Sequence, residues 1–253
     1  LINALGYYAE EIMRMRGEIL PDAEGTHEHK LIYQPLGVVV AYVAWNFPLL
    51  NLAFKIGPAM AAGCAIIIKP SSETPVSALM VGELCAEAGV PAGVVNILAG
   101  PNDPVASILS GSKIPRLLTL IGSTGTGQRI IQQGSTSIKR YSMELGGNAP
   151  ALVFADADLD LAAFLITLLK FSNTGQICVT PNRVLVEQSV FDLFAEKVVA
   201  HAQQVKLGHG RGSGATMGPL INAAARERIE SWVNEAVSQG AIVLHGGKRR
   251  ASL

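Results

Sequence analysis

From residue 36 onward, short apolar runs rich in β-branched residues alternate with longer stretches of helical spacing, and this rhythm limits the fold more than any other feature of the chain. The runs are Gly37–Val43, Ala65–Ile68, Val94–Leu98 and Leu117–Ile121. Helical segments fall between them; in the clearest, Pro75–Ala88, residues Val76, Leu79, Met80, Leu84 and Cys85 keep helical spacing. A strand that is apolar at every position has no face to offer to water, so such strands belong in a parallel sheet covered by helices on both sides. The rhythm resumes after Gly146-Gly147 with a strand over Ala151–Phe154, a helix over Asp158–Ser172 and a strand over Arg183–Glu187. Helices near Phe191–Val205 and Ala223–Ser238 and a last strand, Ala241–Leu244, complete it. Ahead of the rhythm, residues 1–16 carry a helical pattern. Residues 18–35 are more polar, and Pro21-Asp22 and Glu24-Gly25 look like the turns of a hairpin. Two α/β lobes divided near residue 147 are expected, with no internal repeat and no low-complexity linker.

Composition agrees and removes several alternatives. Of 253 residues 49% are apolar, enough for a sizeable core in one large domain or two ordinary ones. Twenty basic residues balance twenty acidic ones, so no net field draws the chain to nucleic acid or to an anionic membrane. The stretch Ile56–Ile68 is the most apolar, but Gly57-Pro58 interrupts it and it is too short to span a bilayer; a buried helix running into a buried strand is expected. Three cysteines, Cys64, Cys85 and Cys178, are too few and too uneven for a disulfide framework, and they suit a reducing compartment such as the cytoplasm. The first residues show no basic region and no cleavage pattern of a secretory signal.

Four constellations could carry chemistry. Gly122-Ser123-Thr124-Gly125-Thr126-Gly127 follows the strand Leu117–Ile121 and opens a helix from about Thr126. Backbone N–H groups at such a helix start form an anion site suited to a pyrophosphate. The first two glycines are three apart, unlike the usual dinucleotide fingerprint, and an ordinary strand–helix turn reads the same way. Cys178 lies in Asn173-Thr174-Gly175-Gln176-Ile177-Cys178, a polar glycine-containing loop that suits an accessible thiolate. Cys64 in an apolar run and Cys85 on a helix read as core residues. Glu144 in Met143-Glu144-Leu145-Gly146-Gly147 stands at a strand end beside two glycines, as a cleft carboxylate or as a solvated turn residue. Asn46 in Trp45-Asn46-Phe47-Pro48 also follows a strand, where its amide could donate to an oxyanion or cap the next helix. In open parallel sheets ligands gather at the carboxyl ends of the strands, and all four features fall there or on a loop that would face it.

These segments, in this order, resemble the aldehyde dehydrogenase superfamily. The resemblance rests on Trp45-Asn46-Phe47-Pro48, Lys69-Pro70-Ser71-Ser72-Glu73-Thr74-Pro75, Gly122–Gly127, Glu144-Leu145-Gly146-Gly147 and Gly175-Gln176-Ile177-Cys178, and on the 34-residue step from Glu144 to Cys178. It implies a Rossmann-like cofactor domain built from residues 1–17 and 36–147, a hairpin of the oligomerisation region at 18–35, and the first part of an α/β catalytic domain at 148–253. Cys178 would be the nucleophile, Asn46 and the Cys178 N–H the oxyanion hole, Glu144 the base for the deacylating water and Lys55 a member of a proton relay. NAD(P) would be held by Trp45, Asn46, Lys69, Ser72, Gly122, Ser123, Gly127 and Leu145. Ser72 stands where NAD-selective relatives usually carry Glu, which points to NADP use. No metal is implied. Family members are considerably longer, so the chain reads as an internal piece of a protein that would assemble as a homodimer or homotetramer.

The wording of residues 144–219 is closest to the succinate-semialdehyde dehydrogenase branch. That branch places arginines where this chain has Phe54 and Ser172, and those arginines hold the substrate carboxylate. An aldehyde without a terminal carboxylate is therefore expected, with the semialdehyde as the alternative. A catalytically silent homologue is the competing reading of another class; the joint presence of Cys178, Glu144, Asn46 and Lys69 speaks against it. Glu144 likewise favours water over coenzyme A or phosphate as acyl acceptor.

Overall fold

The computed structural model describes residues 1–210 and 214–249. The chain divides into two compact units, Leu1–Gly146 and Gly147–Leu253.

The first unit opens with helix α1 (Ile2–Glu11) and the antiparallel hairpin of β1 (Glu18–Leu20) and β2 (His29–Leu31). A five-stranded sheet follows, formed by β3 (Val38–Val43), β4 (Ala65–Pro70), β5 (Val95–Ile97), β6 (Leu117–Ile121) and β7 (Arg140–Glu144). Its order is β5-β4-β3-β6-β7 and every pairing is parallel. Helices α2 (Pro48–Ala61), α3 (Pro75–Glu87), α4 (Asn102–Gly111) and α5 (Thr124–Gly134) make the crossovers. Strand β3 shows why the sheet is covered twice. Val39, Ala41 and Val43 point to one side and pack with Leu52, Ile56 and Ala59 of α2 and Ala78 and Val81 of α3. Val40 and Tyr42 point to the other and pack with Leu118, Leu120 and Ile130. The two-residue period of a strand thus feeds two cores, which is what an uninterrupted apolar run demands.

Helix α3 corrects one expectation. Val76, Leu79, Met80 and Leu84 of the expected stripe are exposed, while Ala78 and Val81 are buried and Cys85 is half-buried against the core. Close approach decides the buried face: a Cβ on Gly82 would come within 3.2 Å of Ile97 on β5, so small residues let the helix lie on the sheet.

The second unit contains the parallel pair β8 (Pro150–Val153) and β9 (Arg183–Val186), with α6 (Leu159–Phe171), α7 (Phe191–Gln203) and α8 (Ala223–Ser238). Its core is the cluster of Val153, Ala163 and Phe194. Asp158 caps α6 by accepting from Leu161 N–H at 3.0 Å, and Asn222 caps α8 by accepting from Ala225 N–H at 2.9 Å. Residues 241–244, read as a strand from their apolar run, form none: they pair with no described strand, and Ile242, Val243 and Leu244 are exposed. Apolar β-branched residues do not make a strand without a ladder partner. No helix of the described residues is long and apolar enough to cross a membrane.

Candidate active site

Because all five strands run the same way, their carboxyl ends share one edge of the sheet, and the first unit's predicted residues collect there except Phe54 and Lys55, which lie within α2. The register aligns Val43 with Pro70, Tyr42 with Leu120 and Ile121 with Glu144. The loop carrying Trp45 and Asn46, the end of β4 with Lys69, the Ser123 turn and Glu144 therefore follow neighbouring strands. The order reverses between β3 and β6, the kind of switch point where open α/β sheets take ligands.

Asn46 does not cap α2, whose N-cap residue is Phe47. Its Oδ1 accepts from Phe47 N–H and from Asn51 Nδ2, both at 3.1 Å. A carbonyl engaged on that side leaves the Nδ2 end of the amide as the donor end. One helical turn beyond Asn51, Lys55 is buried, and its Nζ donates to Thr119 Oγ1 on β6 at 2.8 Å. Burial pushes its ammonium pKa down, while the Glu144 carboxylate opposes that shift. Glu144 itself is exposed at the end of β7.

The glycine-rich turn is a true strand–helix junction. Helix α5 begins at Thr124, two residues earlier than expected, because Ser123 is the N-cap and its Oγ accepts from Thr126 N–H at 3.2 Å. A Cβ on Gly127 would stand 2.9 Å from a methyl of Leu145, so the glycine lets Leu145 lie against the first turn of α5. At the end of β4, Lys69 is buried and donates to Pro70 O at 2.9 Å and to Asn102 Oδ1. Ser72 Oγ donates to the same Asn102 oxygen at 3.1 Å. Burial pushes the Lys69 pKa down. A cleft of about 310 Å³ lies alongside, lined by Pro70, Ser71, Ser72, Pro75, Ala99, Gly100 and Pro101.

In the second unit Cys178 is exposed, whereas Cys64 is buried and Cys85 half-buried. Burial pushes the Cys85 thiol up, away from the reactive thiolate form. The loop before Cys178 is bent by three consecutive left-handed residues: Asn173 (φ 47°), Thr174 (φ 60°) and Gly175 (φ 71°). A β-branched threonine pays heavily for that conformation and keeps it only where its surroundings fix it. Here Thr174 Oγ1 donates to Gly218 O at 2.9 Å, Gln176 Nε2 donates to Asn173 O at 3.0 Å, and Gln176 Oε1 accepts from Ile221 N–H at 2.9 Å. Gly147 also serves the loop, since a Cβ there would lie 3.1 Å from the Cys178 carbonyl oxygen. Phe54 and Ser172 are both exposed, on α2 and on the short helical turn after α6.

Several participants escaped the sequence reading. Thr119 carried a signal, a lone hydroxyl in an apolar strand. Lys170 lies at the end of α6 and donates to Asn182 Oδ1 at 2.7 Å, and Asn182 Nδ2 donates to Gly147 O at 3.4 Å. Only the fold shows that link, as it shows Asn102, which lies 33 residues from Lys69 in the chain. Among the described residues no cluster of histidine, cysteine and carboxylate side chains could hold a metal ion.

Comparison with known proteins agrees over the whole length. The aldehyde dehydrogenase family model matches residues 1–253. The mitochondrial succinate-semialdehyde dehydrogenase of Arabidopsis thaliana is 44% identical over 245 residues, 97% of this chain and 46% of the relative. The NADP(+) succinate-semialdehyde dehydrogenase of Escherichia coli is 43% identical over 96% of this chain and 50% of its own length. The solved structure of succinate-semialdehyde dehydrogenase from Burkholderia pseudomallei superposes with a TM-score of 0.96 at 42% identity, covering 98% of this chain and 52% of that one. The chain thus spans about half the length of the relatives it matches. With its parallel sheet, its N-capped glycine turn and a match along all of its residues, the chain belongs to the aldehyde dehydrogenase family.

Proposed function

We propose that the protein oxidises an aldehyde to a carboxylic acid with NAD(P)+, through a covalent intermediate on Cys178. The observation that carries this reading is the contrast among the three thiols: Cys178 alone is exposed, on a strained loop fixed by hydrogen bonds, and it is the cysteine that the family motif marks. The Cys178 thiolate adds to the aldehyde carbon and the carbonyl oxygen takes the negative charge. The Asn46 amide and the Cys178 N–H stabilise that oxyanion; such donors contribute on the order of 3 kcal/mol each to lowering the barrier. Once the adduct is oxidised, Cys178 holds the acyl group as a thioester. Glu144 takes a proton from water, the hydroxide displaces the thiolate, and the acid leaves. Lys55, buried and hydrogen-bonded to Thr119, lies in the field of Glu144 and would pass protons to and from it.

The residues present fit a dinucleotide. Lys69 and Ser72 would hold the adenosine ribose beside the cleft at the end of β4, and Ser123, Gly122 and Gly127 would face the pyrophosphate. Trp45 and Leu145 would complete its walls. When bound, the nicotinamide supplies the hydride acceptor. Serine at position 72 brings a donor and no negative charge, which favours NADP; the Escherichia coli relative is named for NADP(+).

The substrate we favour is an aldehyde with no terminal carboxylate. Phe54 is apolar and Ser172 uncharged where the semialdehyde branch carries arginines, and a substrate carboxylate buried without a charged partner costs several kcal/mol. The names of the relatives support a second reading, a semialdehyde such as succinate semialdehyde. Specificity constants for succinate semialdehyde and for an uncharged aldehyde of equal carbon number decide between them. The first reading expects the uncharged compound to be preferred; a preference of about tenfold or more for the semialdehyde, about 1.4 kcal/mol in transition-state binding, establishes the second. The hairpin of β1 and β2, exposed along its length, is the segment we assign to subunit assembly.

A further inference from the structure

Lys69, at the end of β4, and Ser72, in the turn after it, lie three residues apart, yet what joins their polar ends is a residue from another element. Asn102 is the first residue of α4, which follows β5, the strand paired with β4. Its Oδ1 accepts from both Lys69 Nζ and Ser72 Oγ. The orientation is chemically fixed: an ammonium only donates, so the amide must turn its oxygen to Lys69, and its Nδ2 keeps two donors of its own. Both acceptors of Lys69, Pro70 O and Asn102 Oδ1, are neutral. The ammonium is thus solvated and fixed in place without its charge being cancelled by either of them. The three side chains stand beside the cleft whose wall includes Ser72, Gly100 and Pro101.

We infer that Asn102 is a specificity-determining residue of the cofactor site, whose neutral carbonyl gathers Lys69 and Ser72 into a corner that accepts a phosphate on the adenosine ribose. The inference rests on the reading above that Lys69 and Ser72 hold that ribose. Asparagine is the residue type that does this. An aspartate would hold the same two donors but would bring a negative charge against the phosphate and pair with Lys69. An alanine would release the Ser72 hydroxyl and leave the Lys69 ammonium its bond to Pro70 O. The effect falls on the 2′-phosphate and not on the rest of the nucleotide, which separates a role in specificity from a role in folding.

The test is calorimetric binding of adenosine 2′,5′-bisphosphate and of 5′-AMP to the purified protein and to its Asn102→Asp, Asn102→Ala, Lys69→Met and Ser72→Glu variants. The wild type is expected to prefer the bisphosphate. Asn102→Asp should lower the bisphosphate/AMP affinity ratio by about tenfold, as one added charge near a phosphate does, with AMP affinity changed by less than about twofold. Asn102→Ala should lower the ratio less. If Asn102→Asp leaves the ratio unchanged while Lys69→Met and Ser72→Glu reduce it, the inference about Asn102 is wrong and the cofactor reading stands. If none of the four variants changes the ratio, the reading of the ribose site itself fails. Equal losses for both ligands in Asn102→Asp and Asn102→Ala mark a structural role and overturn the inference as well.

Discussion

The two halves of the proposed chemistry rest on different kinds of support. In the first unit, Asn46, Lys55, Lys69 and Glu144 stand on or just beyond elements whose interior is closed on both sides of a five-stranded sheet, with Val40, Ala41, Leu52, Ile66, Ile68 and Leu118 wholly buried. In the second unit the Cys178 loop follows α6, whose apolar residues Leu161, Phe164, Leu165, Leu168 and Leu169 are all exposed, and which packs over a two-stranded sheet. Packing places the strands and helices that carry the groups of the first unit, and hydrogen bonds orient Asn46, Lys55 and Lys69 on them. Local hydrogen bonds and a strained backbone position the thiol of the second. Burial holds the elements of the first unit, whereas hydrogen bonds around a left-handed stretch of backbone hold the loop of the second.

The sharpest way to break this division is to remove the base and leave the thiol. Glu144→Gln should lower steady-state turnover by about 10²–10⁴-fold, the usual contribution of general base catalysis, while a first burst of reduced cofactor survives. Unchanged turnover would assign the base elsewhere. Next in size is a test of packing. Leu52→Ala, in the closed core, should cost about 2–5 kcal/mol in urea unfolding. Leu165→Ala, on the exposed side of α6, should stay within about 0.5 kcal/mol. Equal costs would end the contrast between the two units.

Smaller effects sharpen the account of the thiol loop. Gln176→Ala deletes bonds to Asn173 and Ile221 and should cost about 1–2 kcal/mol locally. Hydrogen exchange should rise around residues 173–178 and stay slow in β3 and β6; an unchanged loop would mean that the strain is held by other contacts. Smallest is the helix cap. Ser123→Ala removes the acceptor for Thr126 N–H and should cost about 1 kcal/mol, read as a shift of the urea midpoint without change in slope.

The parallel sheet was legible because its strands are apolar throughout, and that pattern has few other homes. The residues at the strand ends were legible because they lie inside contiguous motifs. What the sequence hid depends on contacts across the fold. Asn102 meets Lys69 only because β5 pairs with β4, and no local pattern joins the two positions. The apolar run at 241–244 misled because β propensity describes a fit to neighbouring strands, and no described strand lies beside it. The stripe on α3 misled for a related reason. The side of that helix able to approach the sheet carries Ala78, Val81 and Gly82, and close approach mattered more than side-chain size.

Rapid quenching reads directly whether an acyl group passes through Cys178. The Glu144→Gln protein is mixed with NADP+ and an uncharged aldehyde, quenched in acid within the burst, digested and mapped by mass spectrometry. The acyl mass is expected on the peptide containing Cys178, with Cys64 and Cys85 unmodified, and is expected to vanish when Cys178 is replaced by alanine. An acyl mass on another residue, or reduced cofactor formed at the same rate by the Cys178→Ala protein, would contradict it.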